Sequence, residues 1–120
     1  MSLAYDFGKQ AELFALNYLE QKGYQLLAKN YRYKHAEIDL LMQKNKHLIC
    51  IEVKAMSTSF FGEPESFINS NKIKNLVLAV NFFIEEHDLN LDVRFDIVAL
   101  IKSNNKWQIK HLKNAFYAWE

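Results

Sequence analysis

Along the first stretch of the chain, apolar residues recur at Phe7, Ala11, Phe14, Ala15, Tyr18 and Leu19, the spacing of one helical face. A helix is therefore predicted over residues 3 to about 21, with Gly23 as its stop. Residues 24 to about 34 predict an extended segment. Residues 36–54, AEIDLLMQKNKHLICIEVK, then alternate as two strands about a short polar turn. A loop is expected over residues 57–71, punctuated by Gly62 and Pro64. The next helix is expected over residues 72–86, with Ile73, Leu76, Val77, Val80, Phe83 and Ile84 as its apolar stripe. Leu78, Ala79 and Phe82 imply burial on more than one side. Residues 91–101 alternate at Leu91, Val93, Phe95 and Ile97 and then run continuously apolar, as a central strand does. A last strand, residues 107–112, follows the turn Ser103-Asn104-Asn105. The order α-β-β-β-α-β-β predicts an α/β fold, a mixed β-sheet flanked by helices. With no repeat, linker or low-complexity tract, the whole chain, 1–120, reads as a single domain.

The predicted hairpin carries an anomaly. Glu37, Asp39 and Leu41 share one strand face, opposite Ile38, Leu40 and Met42. On the second strand Leu48, Cys50, Glu52 and Lys54 share a face, opposite Ile49, Ile51 and Val53. Like faces pair only when partner numbers sum to an odd value. A two-residue loop at Lys44-Asn45 sets Asp39 opposite Cys50, with Glu52 diagonal; a four-residue loop sets Asp39 opposite Glu52. Either register brings the two carboxylates within roughly 5–8 Å, with Lys54 one step along the strand. Carboxylates this close repel unless a positive group sits between them. Lys54 is one candidate, and a hard divalent cation is another. Mg²⁺ or Mn²⁺ there would polarise a phosphodiester and activate water, with a neighbouring lysine offsetting phosphoryl charge. A solvated strand face would carry the same short pattern. Glu12 borders the apolar stripe of the first helix. Gly8, one turn earlier, costs roughly 1 kcal/mol relative to alanine in a helix interior; a close approach of its backbone to something would account for it, and so would a place near a frayed helix start.

Six segments together resemble a known family: GKQAE (8–12), YLEQKGY (18–24), AEIDL (36–40), IEVK (51–54), RFDIVA (94–99) and HLKNAF (111–116). In this order they are similar to the YraN-type family of small bacterial proteins, predicted endonucleases of the PD-(D/E)xK superfamily related to Holliday junction resolvases. The resemblance covers nearly the whole chain and implies a restriction-endonuclease-like core acting on DNA. By that resemblance Asp39, Glu52 and Lys54 are the catalytic acid, acid and lysine, and Glu12 joins Asp39 and Glu52 in holding the metal. The chain departs from the family pattern at Ala11 and Ala36, where glycine is common. It departs again at Met56, where many relatives carry an arginine, a loss expected to weaken phosphate contact.

Composition narrows the partners. A net charge of +1 over 120 residues gives no global nucleic-acid footprint, so any basic surface must be local. Lys29, Arg32, Lys34 and His35, interleaved with Tyr31 and Tyr33, form the best such cluster, although a solvated edge strand would look similar. Lys72 and Lys74 open the second helix, where they either bind phosphate or solubilise an amphipathic surface. Joining basic patches in a two-fold homodimer would strengthen DNA binding. Arg94 and Asp96 share a strand face and are expected to form a structural ion pair or to support the site from behind rather than to act in the chemistry. The four histidines lack zinc spacing. Glu63 and Glu65 are loop acids near the candidate strand. The single cysteine, Cys50, lies in an apolar run, which suits a small buried hydrophobe and a reducing cytoplasm. No signal peptide is read at the N-terminus, and the apolar run at 76–84 is too short to cross a membrane. The expectation is a cytoplasmic, Mg²⁺- or Mn²⁺-dependent DNA endonuclease acting on branched or damaged DNA. A non-catalytic nucleic-acid-binding module on the same fold stands as the alternative. A protein-interaction domain with solvated strand acids is the third reading.

Overall fold

In the computed structural model, which describes residues 3–56 and 68–116, the first apolar stripe forms helix α1 (Leu3–Gln21). Three antiparallel strands follow: β1 (Gln25–Tyr33), β2 (Ala36–Lys44) and β3 (His47–Met56). Helix α2 (Ser70–His87) then carries the chain to β4 (Asp92–Ser103), which pairs parallel to β3, and β5 (Lys106–Phe116) closes the sheet antiparallel to β4. The strand order is β1-β2-β3-β4-β5, so this mixed α/β sheet runs in sequence order and α2 is its crossover.

Each face of the sheet is covered by one helix. Ala11, Ala15, Leu16 and Leu19 of α1 pack on Leu40, Met42, Ile49, Ile51, Val98 and Leu100. On the other face Ile73, Leu76, Ala79, Val80 and Phe83 of α2 pack on Leu41, Leu48, Cys50, Phe95 and Ile97. Burial on both faces is why β3 and β4 read as near-continuous apolar runs. Cys50 is wholly buried, and burial, with the nearby carboxylates adding to it, pushes its thiol well above the usual range. It serves as the small hydrophobe expected. Among the described residues no helix is long and apolar enough to cross a membrane.

Several expectations are corrected. Helix α2 starts two residues early because Asn69 caps it, its side chain accepting from the Lys72 N–H at 2.9 Å. Of the three residues expected to extend its burial, Ala79 is buried, but Leu78 and Phe82 are 55% and 38% exposed, Phe82 meeting the Tyr33 ring at the sheet edge. Strand β5 is longer than its alternation implied, running to Phe116 past an irregularity opposite Phe95 and Ile97. Among the described residues a Cβ added at Gly8 would meet nothing within 4 Å, so no close approach to them accounts for this glycine. The two-residue turn of the β2–β3 hairpin is Asn45-Lys46, one position later than expected, with Asn45 taking the left-handed conformation. Residues 57–67, with Gly62, Glu63, Pro64 and Glu65, lie outside the described residues.

Candidate active site

The β2–β3 ladder runs from Lys44↔His47 to Leu40↔Ile51, partner numbers that sum to 91. That register carries Asp39 to the level of Glu52, the alternative derived for the longer loop. Yet Asp39 joins neither neighbouring ladder. Pairing with β3 ends at Leu40, and pairing with β1 passes from Lys29↔Leu40 to Tyr31↔Ile38 without it. Opposite the gap stands Asn30, in the left-handed conformation at φ 51°. Simple alternation also fails here: Ile38 packs in the α2-side core with Leu41, whereas Leu40 and Met42 pack on the α1 side. The strand is thus irregular around Asp39, and the aspartate side chain supplies what the ladder lacks. The Val53 N–H donates to Asp39 Oδ2 at 2.8 Å.

Glu52, on the α2 side of β3, is only 7% exposed. Lys72 Nζ, from the first turn of α2, sits 2.9 Å from its Oε2. The other oxygen, Oε1, is buried with no hydrogen-bond partner among the described residues. A cavity of about 250 Å³ is lined by Asp39, Glu52, Val53, Lys54, Ile68, Lys72 and Ile97. Lys54 brings its exposed side chain to this rim, as the shared strand face with Glu52 required. Burial, then repulsion from Glu52, pushes the Asp39 carboxyl up to about 7, against the pull of the Val53 N–H and Lys72. Burial also raises Glu52, while Lys72 opposes the rise. The pair holds more negative charge than one ammonium can neutralise.

Glu12 stands on α1, outside that lining. Asn30 Nδ2 donates to its Oε1 at 3.2 Å, and Lys9 Nζ lies 3.6 Å from the same oxygen. Its charge still reaches both Asp39 and Glu52. Among the described residues no three His, Cys, Asp or Glu side chains converge to hold a metal ion. Asp39 and Glu52 could hold one between them, with water or phosphate oxygens completing the shell, as Mg²⁺ prefers. The unpartnered Glu52 oxygen and the excess negative charge both fit such a cation.

The basic candidates lie on β1, the β1–β2 turn and the first turns of α2. Lys29, Arg32, Lys34 and Lys74 are exposed. Arg32 Nη2 pairs with Glu37 Oε2 at 2.8 Å, and Lys34 Nζ lies 5.4 Å from the Tyr33 ring centroid, a ring that stacks on Phe82. Lys72 is placed by the structure in the carboxylate cavity, not simply on the solvent face.

Arg94 and Asp96 form the expected ion pair, with two bonds of 2.9 and 2.8 Å. Sequence reasoning missed the rest of their network. His111 Nε2 lies 2.7 Å from Asp96 Oδ2, the Asn114 N–H donates to Oδ1 at 3.1 Å, and Arg94 donates to the Tyr24 hydroxyl. This network lies on the α1 side of β4 and does not line the carboxylate cavity. Asn30 was missed too; its signal was only an asparagine within a strand, a residue type that tolerates the left-handed region.

Residues 11–100 match the sequence profile of the uncharacterised protein family UPF0102. Among individual proteins, a UPF0102 protein of Christiangramia forsetii is 43% identical over 112 residues, covering 93% of this chain and 94% of the relative. One from Flavobacterium psychrophilum is 41% identical over 112 residues, with the same coverage of 93% and 94%. A third, from Parabacteroides distasonis, is 38% identical over 113 residues, covering 94% of this chain and 93% of its own length.

Proposed function

We propose that this chain, which belongs to the uncharacterised protein family UPF0102, is a divalent-cation-dependent endonuclease that hydrolyses DNA phosphodiesters. The observation that carries the reading is Glu52: a carboxylate almost fully buried beside Asp39, one oxygen without a hydrogen-bond partner among the described residues, in the wall of an open cavity. A buried charge left half-satisfied costs several kcal/mol in a fold that has no use for it, and sites that bind cations are where such groups occur.

Asp39 and Glu52 would hold Mg²⁺ or Mn²⁺, with Glu12 adding its charge from α1. Bound there, the ion supplies positive charge to the phosphoryl oxygens and lowers the pKa of the attacking water. Val53 fixes the direction of Asp39 through its N–H, so the carboxylate does not have to be ordered by the ligand. Lys54, at the cavity rim, orients water or offsets charge as it builds on the phosphate. Lys29, Arg32, Lys34 and Lys74 contact the DNA backbone, and a two-fold homodimer would double that surface. Branched or damaged DNA is the substrate class and the cytoplasm the place of action.

The test is incubation of end-labelled duplex, single-stranded, flap and four-way-junction DNA with the protein, in Mg²⁺, in Mn²⁺ and in EDTA. Cation-dependent cutting, with a preference for one structure, is the expected result. A gel shift on the same substrates without cutting in any cation would replace the reading with a non-catalytic binding module.

A further inference from the structure

Lys72 is held where a lysine has little intrinsic reason to be. It lies in the first turn of α2, at the helix end whose dipole favours anions over cations. What holds its ammonium is Glu52, 2.9 Å away. The same side chain forms a wall common to two cavities. One, of about 250 Å³, contains Asp39 and Glu52; the other, of about 240 Å³, is lined by His35, Glu37 and Asn75 among others. Lys72 is 45% exposed, whereas Glu52 is 9% exposed at its side chain. The lysine can therefore leave this contact into water or the second cavity, and the carboxylate cannot leave at all.

We infer that Lys72 is a place-holding cation: it neutralises Glu52 while no metal is bound, yields that carboxylate to a divalent ion, and then engages a phosphate of the substrate. This rests on the nuclease reading of the preceding subsection. The charges favour the exchange. One ammonium reaches one oxygen of Glu52 and leaves the other without a partner among the described residues. A divalent cation can draw on both Asp39 and Glu52 and carries twice the charge. The freed ammonium stays at the cavity wall, beside the position a phosphate must take to reach Lys54. Metal and DNA then favour each other's binding, because each removes Lys72 from Glu52, and the coupling is reciprocal.

The test is Mn²⁺ binding, followed by electron paramagnetic resonance of the free ion, to wild type, Lys72→Met and Lys74→Met. Binding of a DNA duplex is measured in Ca²⁺ on the same proteins. Lys72→Met should bind Mn²⁺ about tenfold more tightly, since a competing charge in contact is gone. Mn²⁺ should also raise its melting temperature more than that of wild type. Its DNA affinity in Ca²⁺ should nevertheless fall severalfold, with the salt slope lower by about one. Lys74→Met, which removes a charge from the same exposed helix end, should leave Mn²⁺ affinity within about twofold. If Lys72→Met does not fold, Lys72→Gln carries the same expectations. Wild-type Mn²⁺ binding with the Lys72 variant no tighter, or with its DNA affinity unchanged, overturns the exchange alone. Failure of every protein to bind Mn²⁺ overturns the metal reading and the exchange with it.

Discussion

The backbone N–H of Val53 donates to Asp39 Oδ2 at 2.8 Å, at the level where β2 has stopped pairing with β3. A side-chain oxygen thus takes the place of a ladder acceptor, and the aspartate is fixed against the strand that carries Glu52. The carboxylate is held near the second negative charge of Glu52, whose repulsion adds to its burial.

That arrangement has a pH signature. In the folded, metal-free protein burial and the neighbouring Glu52 push the Asp39 carboxyl up to about 7, against 3.8 ordinarily. Between those values the folded chain holds a proton that the unfolded chain has released, so stability from this group is full below 3.8 and is lost as pH rises through about 7. Asp39→Asn removes the charge and keeps an oxygen for Val53. In EDTA at pH 8, urea unfolding should find the variant more stable by on the order of 2 kcal/mol, with the gap closing near pH 4. A variant less stable than wild type at pH 8 would contradict the assignment.

Asp96 behaves oppositely. Burial alone would raise its carboxyl, but His111, Arg94 and the Asn114 N–H outweigh that and hold it below the usual range. Its contribution is present above the ordinary carboxylate pKa and is lost as pH falls through the lowered value. Asp96→Ala should cost roughly 3 kcal/mol at pH 7, because Arg94 and His111 lose a buried partner. The deficit should shrink in acid, and Mn²⁺ binding should be unchanged. Chemical denaturation at pH 7 and pH 3, beside an Mn²⁺ titration, checks all three.

The element order and both core faces were legible because burial on two sides writes itself as long apolar runs in β3 and β4, and one-sided burial as helical stripes. The face shared by Glu52 and Lys54 followed from strand alternation alone. Asp39 was legible as a chemical group but not as a break in the strand, because irregular pairing leaves no periodic trace. Nor could spacing announce the ion pair of Lys72 with Glu52: nineteen residues separate them, and only the start of the α2 crossover brings the lysine to β3. The overestimate of burial at Leu78 and Phe82 came from counting apolar residues without knowing that α2 covers one face of a sheet.

Asn30 offers a separable test of Glu12. Its amide donates to Glu12 while its backbone holds φ at 51°. Asn30→Gly keeps that conformation at little steric cost and removes only the amide, so stability should change little while Mn²⁺-dependent cleavage falls severalfold. Asn30→Ala should show the same loss of activity plus roughly 1 kcal/mol of destabilisation from the left-handed backbone. Equal activity of wild type and Asn30→Gly would show that Glu12 needs no such support.

Arg32 is set apart by its exposure, 79% beside a Glu37 that is 36% exposed, so their ion pair should add little to stability. Arg32→Ala should leave the urea midpoint nearly unchanged and lower the salt slope of DNA binding by about one. Fluorescence anisotropy at several salt concentrations reads this. An unchanged slope would remove Arg32 from the DNA surface.

The most direct measurement is the single-turnover rate of DNA cleavage in Mn²⁺ by wild type and by Glu52→Gln, purified identically and both folded. The substitution keeps size and hydrogen-bonding capacity and removes the charge that would hold the cation. Cutting by wild type that drops about 10³-fold or more in Glu52→Gln is the predicted result. Equal cutting by the two proteins, or none by either, would contradict the claim that Asp39 and Glu52 form a nuclease centre.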